Sequence, residues 1–193
     1  MIVVFRRIGQ RRYAVEAKRR QFPDLEMNPA PGYDPFMPHD LMHLVVEAQL
    51  GLRHGIFGQL AAGGDAGTFH PTFKTNKPSR EVARIRRRVK ARGKKLLSEG
   101  RDESVQSERA AYICWREWMA RSQPSGQKVR PRSMVQVRDV ATSNELRALN
   151  EKKMSEICTH LDQLSSHWSR LEVGEGMAVR WPDLAVARDP QSL

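Results

Sequence analysis

Apolar and polar positions alternate at the start of the chain. "IVVFRRI" and "RYAVEAKR" flank a Gly9-Gln10 turn, and in the second run Tyr13, Val15 and Ala17 are set against charged neighbours. A period of two is that of a half-buried strand, so these residues predict an N-terminal hairpin. "LEM" at Leu25–Met27 predicts a third short strand. The next stretch, "NPAPGYDPFMP", holds four prolines and one glycine, which makes it a stiff irregular loop leading into a helix that begins near Pro38 and runs to about Leu50. Glycines at 51, 55 and 58 break that pattern, and "IFGQLAAGGDAG" reads as a short helical turn ending in a glycine-rich loop.

Further on the rhythm is helical. In "PSREVARIRRRVKARGKKLLSEG" Ser79 suits an N-cap, Glu81 lies in the first turn, and Val82, Ile85, Val89 and Leu96 form one stripe. "GRDESVQSE" reads as a polar hinge, after which Ile113, Trp115, Trp118 and Met119 mark a helix from about 105 to 121. "SQPSGQKVRPRS" is a loop by composition. Thr142 and Glu145 have capping-box spacing at the head of a last long helix. Its apolar residues from Met154 follow a short heptad, Ile157, Leu161, Leu164, Trp168 and Leu171, suited to packing inside the molecule or to a partner seam. Met177, Val179 and Trp181 alternate again and predict a strand that pairs with the N-terminal hairpin.

The expected fold is therefore α+β, a small antiparallel sheet from the N-terminal hairpin and C-terminal strands, packed against several helices on one face. At 193 residues the chain fits one domain over 1–193, with loops or hinges near 63–78, 99–106 and 122–142. Hydrophobic residues at 39% exclude wholesale disorder. No apolar run approaches the roughly 20 residues of a membrane span. "MIVVF" is too short for a signal peptide, and there are only two cysteines, Cys114 and Cys158, so the expected setting is a reducing cytoplasm. Both cysteines fall on apolar helix faces and read as packed thiols.

Charge changes the picture for one segment. The net charge is +11, and from Lys74 to Arg101 twelve basic residues face only Glu81 and Glu99. The rest of the chain is nearly neutral. A cationic amphipathic helix over 80–98, with Arg80, Arg84, Arg87, Arg88 and Lys95 pointing outward, is a surface for nucleic-acid phosphates, an acidic protein partner or an anionic membrane surface, or simply a solvated face. No base-reading module accompanies it.

The candidate chemistry lies in "PHDLMHLVVEAQLGLRHGIFG", residues 38–58. On a helix His39 and His43 are an i, i+4 pair that directs ring nitrogens at one point, the spacing of a zinc-ligand pair. Leu41, Met42, Leu44, Val45, Val46, Ala48 and Leu50 bury that helix nearly all round, so a polar stripe there needs partners or an ion to offset its desolvation. Glu47 lies about 12 Å along the axis from His39, too far to share one ion easily, and suits a role of accepting a proton from a ligating imidazole. His54, Asp65 and His70 are the nearest candidates for a third ligand, His54 first among them. Three readings stay open: a divalent metal site, zinc before others, supporting hydrolysis; a hydrogen-bonded polar cluster without an ion; and a metal-free acid/base site using Asp40 and Glu47. In H-E-x-x-H proteases a glutamate follows the first histidine as general base, and here the shorter Asp40 stands there, so protease chemistry is not expected.

"HDLMH", and more loosely "GQLA", weakly resemble the H-D-x-x-H motif of the ubiquinone-biosynthesis protein family over about twenty residues. In that family a glutamate a dozen residues beyond the second histidine completes the motif, where this chain has His54 or Gln59. "PAPGYDPFMPHDLMHLVVE" with "FGQLAAGGDAG" looks more like an uncharacterised family of bacterial proteins, and that resemblance implies no activity.

Overall fold

The computed structural model describes residues 1–73, 80–122 and 147–187. Strands β1 (Ile2–Gly9) and β2 (Arg12–Lys18) form the expected hairpin, and β3 (Leu25–Ala30) pairs with β2. The C-terminal alternation becomes β5 (Gly176–Arg180), antiparallel to β1. Two-residue strands β4 (His70–Pro71) and β6 (Val186–Ala187), too short to carry a periodic signal, complete a six-stranded antiparallel sheet of order β4-β3-β2-β1-β5-β6.

Register explains the core. Val179, Val3, Ala17 and Leu25 stand opposite one another across β5, β1, β2 and β3, and Met177, Phe5, Val15 and Met27 form the next row. Because side chains repeat every two residues, both rows share one face, and all eight are buried. Over that face lie α1 (His39–Leu50) and α5 (Glu151–Ser169), with α4 (Arg101–Ser122) packed on both, while the short α2 (Ile56–Ala61) follows α1. Phe57 of α2 meets Phe5 with ring centroids 6.5 Å apart. Trp168 stands edge-on to Tyr13 at 5.8 Å and donates its indole N–H to the Asp34 carbonyl, and Trp118 donates to Asp162, which ties α4 to α5. The heptad residues Met154, Ile157, Leu161, Leu164 and Trp168 are buried in this layer, with Leu171 packed at its edge, so they pack within the molecule.

The cationic segment is helix α3 (Arg80–Glu99), as its stripe predicts. It is peripheral, touching α2, β4 and α4, with Val89 and Gly93 its buried positions. Ser79 and the Thr142–Glu145 capping box lie outside the described residues, as does 123–142 of the predicted loop. The long C-terminal helix is instead capped at Asn150, whose side chain accepts the Lys153 N–H at 2.9 Å.

One prediction needs correction. The segment 99–106 is not a hinge: α3 ends at Glu99, Gly100 intervenes, and α4 begins at Arg101, with Asp102 and Glu103 suiting the positive end of its dipole. A side chain at Gly100 would collide with His54, its Cβ falling 1.9 Å from the His54 Cβ, so the close turn is held against the loop after α1. Among the described residues no helix is long and apolar enough to cross a membrane.

Candidate functional site

Helix α1 is fixed at both ends by its own sequence. Pro38 precedes its first turn, and Gly51 closes it in the left-handed conformation (φ +67°), its N–H returning to the Ala48 carbonyl. Residues 40–47 are all buried, as the apolar pattern requires. The polar stripe thus points into protein, where each polar atom needs a partner.

His39 and His43 do converge. Their Nε2 atoms are 3.3 Å apart, with ring centroids at 4.5 Å. The third group comes from α4: Glu108 Oε2 lies 3.6 Å from His43 Nε2. One ligand atom from each of His39, His43 and Glu108 fits within 4.8 Å of the other two. His43 is fully buried, His39 is half-buried, and the Glu108 side chain is 55% exposed, so the group is closed on the protein side and open on one edge.

Behind His43 a hydrogen-bond chain sets which nitrogen faces that point. Glu47, fully buried, accepts the Ile56 N–H at 2.7 Å on Oε1 and the Phe57 N–H at 2.8 Å on Oε2. Ser107 donates its hydroxyl proton to Glu47 Oε1 at 2.8 Å. With that proton used, Ser107 Oγ is an acceptor toward His43 Nδ1, 2.9 Å away, so Nδ1 carries the hydrogen and the Nε2 lone pair faces His39 and Glu108. Burial, then the neighbouring His39, lowers the His43 pKa to about 3, which keeps the ring neutral. Burial pushes Glu47 up to about 7, opposed by the donors around its carboxylate. Burial also raises the Glu108 pKa.

Two glycines allow these close approaches. A Cβ at Gly55 would fall 2.3 Å from the Glu47 carboxyl carbon, so only glycine lets the loop before α2 wrap that carboxylate. Gly32, at φ +73°, brings the proline-rich loop against His39, where an added Cβ would meet the His39 Cβ at 2.7 Å.

The remaining predicted residues fall elsewhere. Asp40 is buried and accepts a hydrogen bond from the Tyr13 hydroxyl, which also lies 2.5 Å from the Pro31 carbonyl. Burial raises its pKa to about 6 against the Tyr13 bond that lowers it. Asp40 thus pins the first turn of α1 to β2 and is not part of the imidazole group. Glu47 does not touch the Nε2 edge of His43 either: its nearer oxygen is 3.9 Å from His43 Nδ1, and it is linked to the ring through Ser107. The predicted ligand His54 is replaced in the group by Glu108. His54 pairs instead with Glu103, which accepts its backbone N–H at 2.7 Å and lies 3.4 Å from its Nδ1. Asp65 turns back on its own loop and toward Gly93, and His70 is exposed on β4 at the sheet edge. Arg80, Arg84, Arg87, Arg88 and Lys95 are all exposed along α3, as predicted. Cys114 and Cys158 are buried free thiols. Comparison with protein-family models, curated proteins and solved structures finds no match to this chain.

Proposed function

We propose that His39, His43 and Glu108 bind one divalent metal ion, zinc before others, and that the reaction class is hydrolysis. The observation that carries this reading is the convergence of three ligand-type atoms within 4.8 Å, two of them on imidazoles held one helical turn apart. Two nitrogens each about 2.05 Å from a tetrahedral zinc stand about 3.3 Å from each other. The two Nε2 atoms are 3.3 Å apart. Two histidines and one carboxylate are also the donor set of catalytic zinc sites, which keep a coordination position free, and the exposed Glu108 edge supplies the access that position needs. Such an ion supplies Lewis acidity toward water and toward the substrate's carbonyl or phosphoryl oxygen.

The protein's own residues supply the rest. Ser107 and Glu47 hold His43 in the tautomer that presents its Nε2 lone pair, and they keep the ring from rotating. Tyr13 and Asp40 fix the first turn of α1, which carries His39. The 2-His-1-carboxylate set also suits iron(II), so metal identity is read from competition. Purified protein incubated with zinc and dialysed is expected to retain about one equivalent, and the His39→Ala and Glu108→Ala variants to retain far less. Under a tenth of an equivalent of zinc, iron or manganese, with none regained on reconstitution, rules the reading out.

A further inference from the structure

The second feature lies on the other side of the α3–α4 junction. Helix α3 carries nine cations, at 80, 84, 86, 87, 88, 90, 92, 94 and 95, against Glu81 and Glu99, and all nine are exposed. Elsewhere several surface cations are paired at short range: Arg6 and Lys18 with Glu16, Lys153 with Glu156, Arg180 with Asp183. On α3, among the described residues, Lys95 alone meets a carboxylate, Glu99 at 3.7 Å. A helix rises 1.5 Å per residue, so Arg80 to Lys95 is a cationic edge of about 22 Å. Like charges this dense repel one another, and the helix forms despite it, because Val89 and Gly93 anchor it to the domain.

We propose that this edge binds the phosphate backbone of nucleic acid without reading its bases. Three features favour that occupant. Six of the nine cations are arginine, whose planar fork matches phosphate oxygens two at a time. The outward face offers no apolar anchor of the kind a protein interface needs at its centre, since Leu97, 47% exposed, is the one large apolar side chain it shows. A membrane surface needs the apolar stripe of an amphipathic helix, and here the middle of that stripe is occupied: Val89 is 5% exposed and Ile85 packs on the core. Beside the helix, Arg88, Arg92 and Lys95 border an open groove of about 850 Å3 whose floor is largely apolar, with Phe22, Ile85 and Leu96, so the three cations stand along its rim. The ring of Phe22 is itself covered by the Arg92 guanidinium at 4.9 Å, which fixes that arginine in place.

Counterion release gives the signature. Neutralising about five phosphates makes affinity fall about 500-fold between 50 and 200 mM salt. The test uses the full chain and two labelled 20-base-pair duplexes of unrelated sequence. Expected are equal affinities for the two within about threefold, this salt slope, and a slope lower by about two for the double variant Arg87→Glu, Arg88→Glu. The control variant Arg11→Glu, Arg12→Glu, equally exposed at the hairpin turn, is expected to bind within a few-fold of the parent. No binding at 50 mM salt, a salt-independent affinity, equal losses in the two variants, or tighter binding of polyglutamate than of duplex overturns the proposal. Circular dichroism of each variant confirms that the fold is retained. Metal content plays no part in these readouts, so this proposal and the metal reading fail separately.

Discussion

The polar groups of α1 and those of α3 obey opposite rules. On α1 every buried polar side chain is held by named partners: Asp40 by Tyr13, His43 by Ser107 and His39, Glu47 by Ser107 and two backbone N–H groups. On α3 the charged side chains face water and only Lys95 meets a carboxylate among the described residues. A buried polar group costs stability unless it is satisfied, whereas an exposed cation costs little and is free to meet a ligand. The difference teaches where substitutions will be felt as unfolding and where only as lost binding.

Glu47→Leu attacks the buried network at its most connected point. It leaves the Ile56 and Phe57 N–H groups and the Ser107 hydroxyl without their acceptor, and denaturant unfolding is expected to show a loss of about 3–5 kcal/mol. A loss under 1 kcal/mol would mean that the network is not what holds α1 to α2 and α4. Gly55→Ala forces a methyl group against the same carboxylate, and thermal unfolding should register about 1–3 kcal/mol of destabilisation. A neutral result there would show that the loop gives way. Ser107→Ala removes the link between Glu47 and His43. It is expected to cost about 1–2 kcal/mol and to weaken zinc binding by 10–100-fold, while Ser107→Thr retains the hydroxyl and recovers part of the affinity. An unchanged zinc affinity in Ser107→Ala would remove the serine from the site while leaving its structural role. On the other side of the comparison, Arg87→Ala with Arg88→Ala is expected to shift stability by no more than about 0.5 kcal/mol, read by the same denaturant titration.

Much of the fold was legible because its elements carry strong periods. The hairpin, the stripe on α3 and the strand at Met177–Val179 follow from spacing, and the limits of α1 from Pro38 before it and Gly51 after it. The two histidines were legible for the same reason, since i, i+4 on a helix leaves them one relative position. Their third partner was not. Glu108 sits in a stretch whose composition reads as a hinge, because the inward positions of early α4 are small or polar: Ser104, Ser107, Ala111 and Cys114. Such residues bury well but give hydropathy nothing to detect. Their spacing of three and four, continued by Trp118, is a helical signal independent of hydrophobicity, and Asp102 and Glu103 mark a helix start. Nearness in sequence favours His54 as a third ligand, whereas topology brings α4 back across α1. Glu47 is linked to His43 through the Ser107 hydroxyl, which no pattern in the chain marks.

The central claim is that two imidazoles and one carboxylate share an ion. X-ray absorption at the zinc edge, on protein loaded with one equivalent, tests it most directly. The account predicts two imidazole nitrogens at about 2.0–2.1 Å together with oxygen ligands and no sulfur, and loss of the imidazole scattering in the His39→Ala, His43→Ala variant. A first shell of oxygen alone, or an imidazole signal that survives in that variant, would contradict it.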